Sequence, residues 1–144
     1  MLEPQTEQPG CVLLVEDDPA ILWTYSRMLS EAGFAVEAVA DGGAVPSALA
    51  AHHFDAVLSD IALPGMSGIE VLGLVHGCDP ELPVILMTGG DVEEALAATE
   101  RRALRYLLKP VRFDVLKACV AEAVRVRRSA SLGKTLVGDG GVRS

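Results

Sequence analysis

The chain has 144 residues, half of them hydrophobic, and a formal net charge of −8. A chain of this length makes one domain that buries roughly 68–70% of its unfolded surface. No apolar run approaches the roughly 20 residues that span a bilayer, and MLEPQTEQPG at the start lacks the basic-then-apolar pattern of a signal peptide, so a soluble, cytoplasmic protein is expected, with no membrane partner. The acidic balance argues against direct nucleic-acid contact, whose affinity comes from Lys and Arg displacing counterions. Cys11, Cys78 and Cys119 lie far apart without CxxC spacing, which argues against a zinc site or a disulfide framework; they read as reduced, packed thiols.

In chain order, residues 1–10 read as an N-terminal tail and CVLLV (11–15) as a first strand that ends in Glu16, Asp17 and Asp18. Asp18 can cap a helix with Pro19 at its first position. Ile21, Tyr25, Met28 and Ala32 form the inward stripe of that helix, with Trp23 off it and partly exposed near the acidic edge. AVEAVA (35–40) is a second strand, and His52 and His53, at the end of the next helix, read as solvated. DAVLS (55–59) leads into Asp60; beyond it Gly65 and Gly68 read as turn residues, and Ser67 with Glu70 has capping-box spacing. PVILM (83–87) leads into Thr88, Gly89 and Gly90, and Asp91 with Glu94 marks the start of a fourth helix. ALRYLL (103–108) leads into Lys109 and Pro110. In the last helix Phe113, Leu116, Val120, Ala123 and Val124 recur at spacings of three and four. Arg125, Arg127 and Arg128 suit its C-terminal dipole, so the helix is expected to end near Arg128. The domain is then 11–128, and 129–144, rich in Gly and Ser, reads as a flexible tail or linker stub.

Short apolar runs alternating with helical segments specify an α/β fold with a parallel sheet. Runs that are apolar on both faces require helices on both sides of it. Ligands of such sheets collect outside the C-terminal ends of the strands. Glu16, Asp17 and Asp18, then Asp60, Thr88 and Lys109, converge there. Like charges this close disfavour one another's ionisation unless a cation compensates them. Crowded carboxylates suit Mg²⁺, a hard cation that needs only one or two of them. An Asp beside a bound metal can attack phosphorus, with Lys109 and the metal stabilising the charge on the transferred oxygens.

LLVEDDP, Asp41-Gly42 within ADGGA, SDIALPGMSG, LMTGG and RYLLKP follow one another at these strand ends. In this order they resemble the receiver domain of bacterial two-component response regulators, over residues 11 to 128. The resemblance implies a flavodoxin-like five-stranded parallel sheet of order 2-1-3-4-5, an order already described for this class of sheet. It implies that Asp60 accepts a phosphoryl group from a histidine kinase or phosphotransfer protein. Glu16, Asp17, Asp60 and the Ala62 backbone carbonyl would hold Mg²⁺ or Mn²⁺. Thr88 and Lys109 would contact the phosphoryl group, Tyr106 would change rotamer as Thr88 moves, and the Lys109–Pro110 bond would be cis. A phosphoryl group adds nearly two negative charges that demand donors. The fourth helix, fifth strand and fifth helix would then switch, as a homodimer surface or toward an effector beyond the C-terminus; Glu93, Glu94, Glu100, Arg101 and Arg102 give this face mixed charge.

The sequence departs from the pattern at Leu63, where most receivers have Met, a conservative change. Ala62 and Gly90, at the two positions that set phosphoryl lifetime in this family, are too small to position or block water, so a short lifetime is expected. Two other readings compete. One is a Mg²⁺-dependent phosphohydrolase of the haloacid-dehalogenase-like type, which needs a second acid two residues after the nucleophile, where this chain has Ala62. The other is a receiver that is never phosphorylated and works through protein contacts alone.

Overall fold

Each apolar run becomes a strand: β1 (Cys11–Val15), β2 (Ala35–Val39), β3 (Ala56–Asp60), β4 (Val84–Thr88) and β5 (Arg105–Leu108). All neighbours are parallel and the order is β2-β1-β3-β4-β5. The computed structural model describes residues 9–90 and 103–140, with the backbone alone for 131–140. The expected helix start at Asp91 and Glu94, and the charges Glu93, Glu100, Arg101 and Arg102, lie outside the described residues.

Central strands β3 and β4 are buried along their whole length, which is why their sequences are apolar on both faces. Successive side chains alternate between two cores. Val12, Leu14, Leu58, Ile85 and Met87 pack on one side with Tyr25, Leu29, Leu116 and Val120. Leu13, Val15, Val57 and Leu86 pack on the other with Val71, Leu72 and Val75. The first layer is built by α1 (Pro19–Glu31) and the C-terminal helix (Phe113–Gly140), the second by α2 (Val45–Ala51) and α3 (Gly68–Cys78).

The helix starts form as their sequences specify. Asp18 Oδ1 accepts hydrogen bonds from the amides of Ala20 and Ile21, with Pro19 in the first turn. At α3 the box is closed both ways: Ser67 Oγ accepts from the Glu70 amide, and Glu70 Oε1 accepts from the Ser67 amide. His52 and His53 are exposed, with the His52 and Phe54 rings edge to face, and Trp23 is 63% exposed beneath the Arg27 guanidinium.

Two boundary expectations are corrected. Gly10 is not tail: it is buried, and its carbonyl accepts the Ala35 amide, extending the β1–β2 pairing by one residue. The last helix does not stop near Arg128 but continues to Gly140, so 129–140 is helical. Once a helix is nucleated each further residue adds a bond, and an internal glycine costs only about 1 kcal/mol. Two of the three arginines taken as an end signal, Arg127 and Arg128, have tertiary partners. Arg127 Nη2 donates to Asp79 Oδ2 at 2.6 Å and Arg128 lies 3.6 Å from Asp55, whose carboxylate also accepts the Cys11 amide.

Arg127 is 7% exposed, so its removal strands part of the Asp79 charge. Breaking a fully buried pair costs about 3–5 kcal/mol. Here Asp79 is partly solvated, and Arg127 Nε is buried without a hydrogen-bond partner among the described residues, which already offsets some of the gain. Arg127→Ala is therefore expected to lose about 2 kcal/mol in urea unfolding. A loss below about 0.5 kcal/mol would mean that the pair contributes nothing net.

Candidate functional site

The strand register lines up the polar residues at one edge of the sheet. Val15 faces Ser59, Asp60 faces Met87, and Thr88 faces Leu108, so the residues that follow lie in one row. The ladder runs on past the strand ends: the Ile61 amide donates to the Met87 carbonyl and the Lys109 amide to the Thr88 carbonyl, each at 2.8 Å. Glu16 (1% exposed) and Asp60 (6%) are held inside this edge, and Asp17 is exposed at its mouth. One carboxylate oxygen from each of the three lies within 4.8 Å of the others.

Lys109 crosses the cluster. Its Nζ donates to Glu16 Oε1 at 2.9 Å and to Asp60 Oδ2 at 3.1 Å, and its side chain is only 16% exposed. The remaining oxygens are also engaged: Glu16 Oε2 accepts the Asp18 amide and Asp60 Oδ1 the Ala62 amide. Lys109–Pro110 is cis, as the resemblance implies.

Burial pushes the Glu16 carboxyl up from its ordinary range and the Asp60 charge adds to this, against the hydrogen bonds from Lys109 and Asp18. Burial alone would lower the Lys109 ammonium, but hydrogen bonding and attraction to both acids outweigh it, so its pKa is raised. The two shifts are compatible: Lys109 stays charged, while the desolvation of Glu16 costs more than one lysine returns. Three carboxyl groups face one ammonium here, an excess of acid that favours a further cation.

Thr88 is buried on the same edge, and its Oγ1 accepts the Gly90 amide at 3.0 Å. Tyr106, on β5, packs half-buried against the core on the α3 side, where burial raises its phenol pKa against a hydrogen bond from the Ala103 backbone. Ala62 and Gly90 are both exposed beside the cluster.

Sequence reasoning missed two contributors. Gly68, taken as a turn residue, is the first residue of α3, and its Cα lies against the Asp60–Ile61 backbone; its amide donates to the Ile61 carbonyl at 2.8 Å. Tyr25, taken as part of an apolar stripe, also accepts a hydrogen bond from the Val111 amide at 3.2 Å. No local signal marks either role, because each depends on a partner distant in sequence or on the course of the backbone.

The family model described as "Response regulator receiver domain" matches residues 12–121. The chain belongs to this family. It is a receiver domain of the kind found in two-component response regulators. The receiver is 39% identical over 118 residues to the DNA-binding transcriptional regulator NtrC of Escherichia coli, covering 81% of this chain and 25% of NtrC. It is 33% identical over 131 residues to the transcriptional regulatory protein FixJ of Bradyrhizobium diazoefficiens, covering 90% of this chain and 64% of FixJ. The chain thus spans a quarter to under two thirds of the length of these relatives. Among solved structures it resembles response regulator protein TrrA of Thermotoga maritima in complex with Mg²⁺ and BeF, with a TM-score of 0.73, 27% identity, and coverage of 79% of this chain and 98% of that one. Among the described residues of the receiver, no helix is long and apolar enough to cross a membrane.

Proposed function

We propose that Asp60 is the phosphoacceptor of this receiver and that Glu16, Asp17, Asp60 and the Ala62 carbonyl hold a Mg²⁺ or Mn²⁺ ion for the transfer. The observation that carries this reading is Lys109 bridging Glu16 and Asp60, a protein cation lying among acids that a metal would otherwise neutralise. The donor set is all oxygen, as such ions require. When bound, the ion supplies charge neutralisation of the phosphoryl oxygens.

The chain's own residues supply the rest. An Asp60 oxygen forms the new P–O bond as the P–N bond of a phosphohistidine breaks, and the imidazole leaves and takes up a proton. Lys109 keeps its contact to Asp60 and turns from Glu16 toward the incoming phosphoryl oxygens. Thr88 exchanges its Gly90 contact for one with the phosphoryl group, and Tyr106 follows into the space that Thr88 leaves. The chain thus acts as a signalling switch, not as an enzyme on a small-molecule substrate, and Ala62 in place of a second acid disfavours a phosphohydrolase.

The donor, a histidine kinase or phosphotransfer protein, must reach Asp60 across the surface around it. A groove of about 540 Å³ between α1 and the Lys109–Val111 loop, lined by Ile21, Met28 and Pro110, borders the site and suits an apolar helix face. Exposed Leu108, Phe113 and Val115 support the face of β5 and the C-terminal helix as the output surface, for a homodimer or an effector.

Intact-mass measurement after incubation with acetyl phosphate and Mg²⁺ tests the reading. One added phosphoryl group, mapped to Asp60, is expected, with none after chelation and an earlier elution on a sizing column if the output is a dimer. No adduct would leave the contact-only reading, and an adduct indifferent to chelator would overturn the role given to the metal.

A further inference from the structure

The loop that carries Lys109 has few means of support. Pro110 has no amide, so the loop's backbone donors are those of Lys109 and Val111. The Lys109 amide donates to the Thr88 carbonyl at 2.8 Å, which fixes the strand side. On the other side the Val111 amide donates to the Tyr25 hydroxyl at 3.2 Å, across 86 residues of sequence. Tyr25 is 5% exposed, at the second turn of α1, with its ring in the core that also contains Val111 and Leu116. Ile21, Thr24 and Met28 do not fill the space between α1 and the loop; with Lys109, Pro110 and Val111 they line the groove of about 540 Å³. The hydroxyl is therefore the polar link across a gap that the neighbouring side chains leave open.

We infer that Tyr25 is a positioning residue for Lys109: its hydroxyl pins the Val111 amide and so fixes where the ammonium falls between Glu16 and Asp60. A buried hydroxyl without a partner costs stability, and so does a buried amide, so each group stabilises the position of the other. An apolar side chain at this position would fill the same core volume but leave the Lys109–Thr88 bond as the loop's one remaining amide tie among the described residues. Because α1 also forms one wall of the groove, an occupant that displaces α1 moves the lysine as well. This inference rests on the proposed role of Lys109 in phosphoryl transfer; the tether itself can be measured without transfer.

Tyr25→Phe keeps the ring and removes the link. Amide hydrogen exchange of the metal-free chain is expected to speed up about tenfold at Val111 and to rise at Lys109, with the amides of β1 and β3 unchanged. In the acetyl phosphate reaction, the rate at saturating donor is expected to fall about tenfold, with the half-saturating donor concentration and the calorimetric Mg²⁺ affinity unchanged. Leu29→Met, on the same helix and in the same core but outside the groove and without a polar link, is expected to leave both measurements at wild-type values. A merely structural role for Tyr25 would lower the melting temperature without slowing the saturated rate, and that result overturns the inference. Unchanged exchange at Val111 overturns it too. If the wild-type chain accepts no phosphoryl group at all, the functional reading fails, and the exchange data alone then decide whether Tyr25 positions the loop.

Discussion

Lys109→Ala is expected to lose about 2–3 kcal/mol of stability in metal-free buffer, to regain part of it on addition of Mg²⁺, and to slow acetyl phosphate transfer about a hundredfold. The loss arises because two buried carboxyl groups, Glu16 and Asp60, are left without the ammonium that bridges them. It falls short of the about 3–5 kcal/mol typical of a broken buried pair because the Lys109 side chain is 16% exposed and water can enter in its place. Glu16 also has a way out. Its carboxyl is already raised by burial and by Asp60, and without Lys109 it rises further. A group whose folded pKa is raised contributes stability that is complete below its unfolded pKa and is lost as pH rises through the folded value. The gap between variant and wild type should therefore be small in acid and widen as pH rises through the raised Glu16 range. Urea unfolding at several pH values with chelator, then with Mg²⁺, reads this directly. A variant as stable as wild type at neutral pH, with no gain from Mg²⁺, would show that the lysine does not stand in for a cation.

The parts of the molecule that were legible in the sequence are those fixed by local rules or by the class of sheet. Strands β3 and β4 could be read because two-sided burial demands an unbroken apolar run, and α1 and α3 because Asp18, Pro19, Ser67 and Glu70 cap them within a few residues. The meeting of Glu16, Asp60, Thr88 and Lys109 followed from where strands end in a parallel sheet. What was not legible depends on partners far along the chain. Arg127 and Arg128 look like dipole-compensating charges until Asp79 and Asp55 are seen beside them. That mistaken end signal, with the Gly and Ser content beyond it, hid the continuation of the helix to Gly140. The roles of Tyr25 and Gly68 likewise consist of contacts to backbone, which no residue pattern announces.

Gly68→Ala is expected to cost about 3 kcal/mol and to slow phosphoryl transfer about a hundredfold, although Gly68 bears no functional group. A Cβ built there would overlap the Asp60 carbonyl oxygen and lie 2.7 Å from Ile61 Cα and 2.9 Å from the Asp60 carbonyl carbon. All three are backbone atoms of the acceptor segment and cannot swing aside as a flexible side chain would. Either α3 withdraws, breaking the 2.8 Å bond from the Gly68 amide to the Ile61 carbonyl, or the Asp60 backbone moves and takes its carboxylate away from Lys109. Gly73, on the same helix, is the matching control, since a Cβ there meets nothing within 4 Å. Gly73→Ala should gain about 0.5–1 kcal/mol from helix propensity and leave transfer untouched. Urea unfolding with intact-mass rates on both variants separates the effects. Equal behaviour of the two would show that the acceptor does not depend on close approach of α3. Loss of rate in Gly68→Ala with stability retained would locate the displacement in the Asp60 segment itself. Close packing of backbone on backbone is thus as much a part of the acceptor site as its charges, because the carboxylate can be presented to an incoming phosphoryl group only if the turn beneath it is held still.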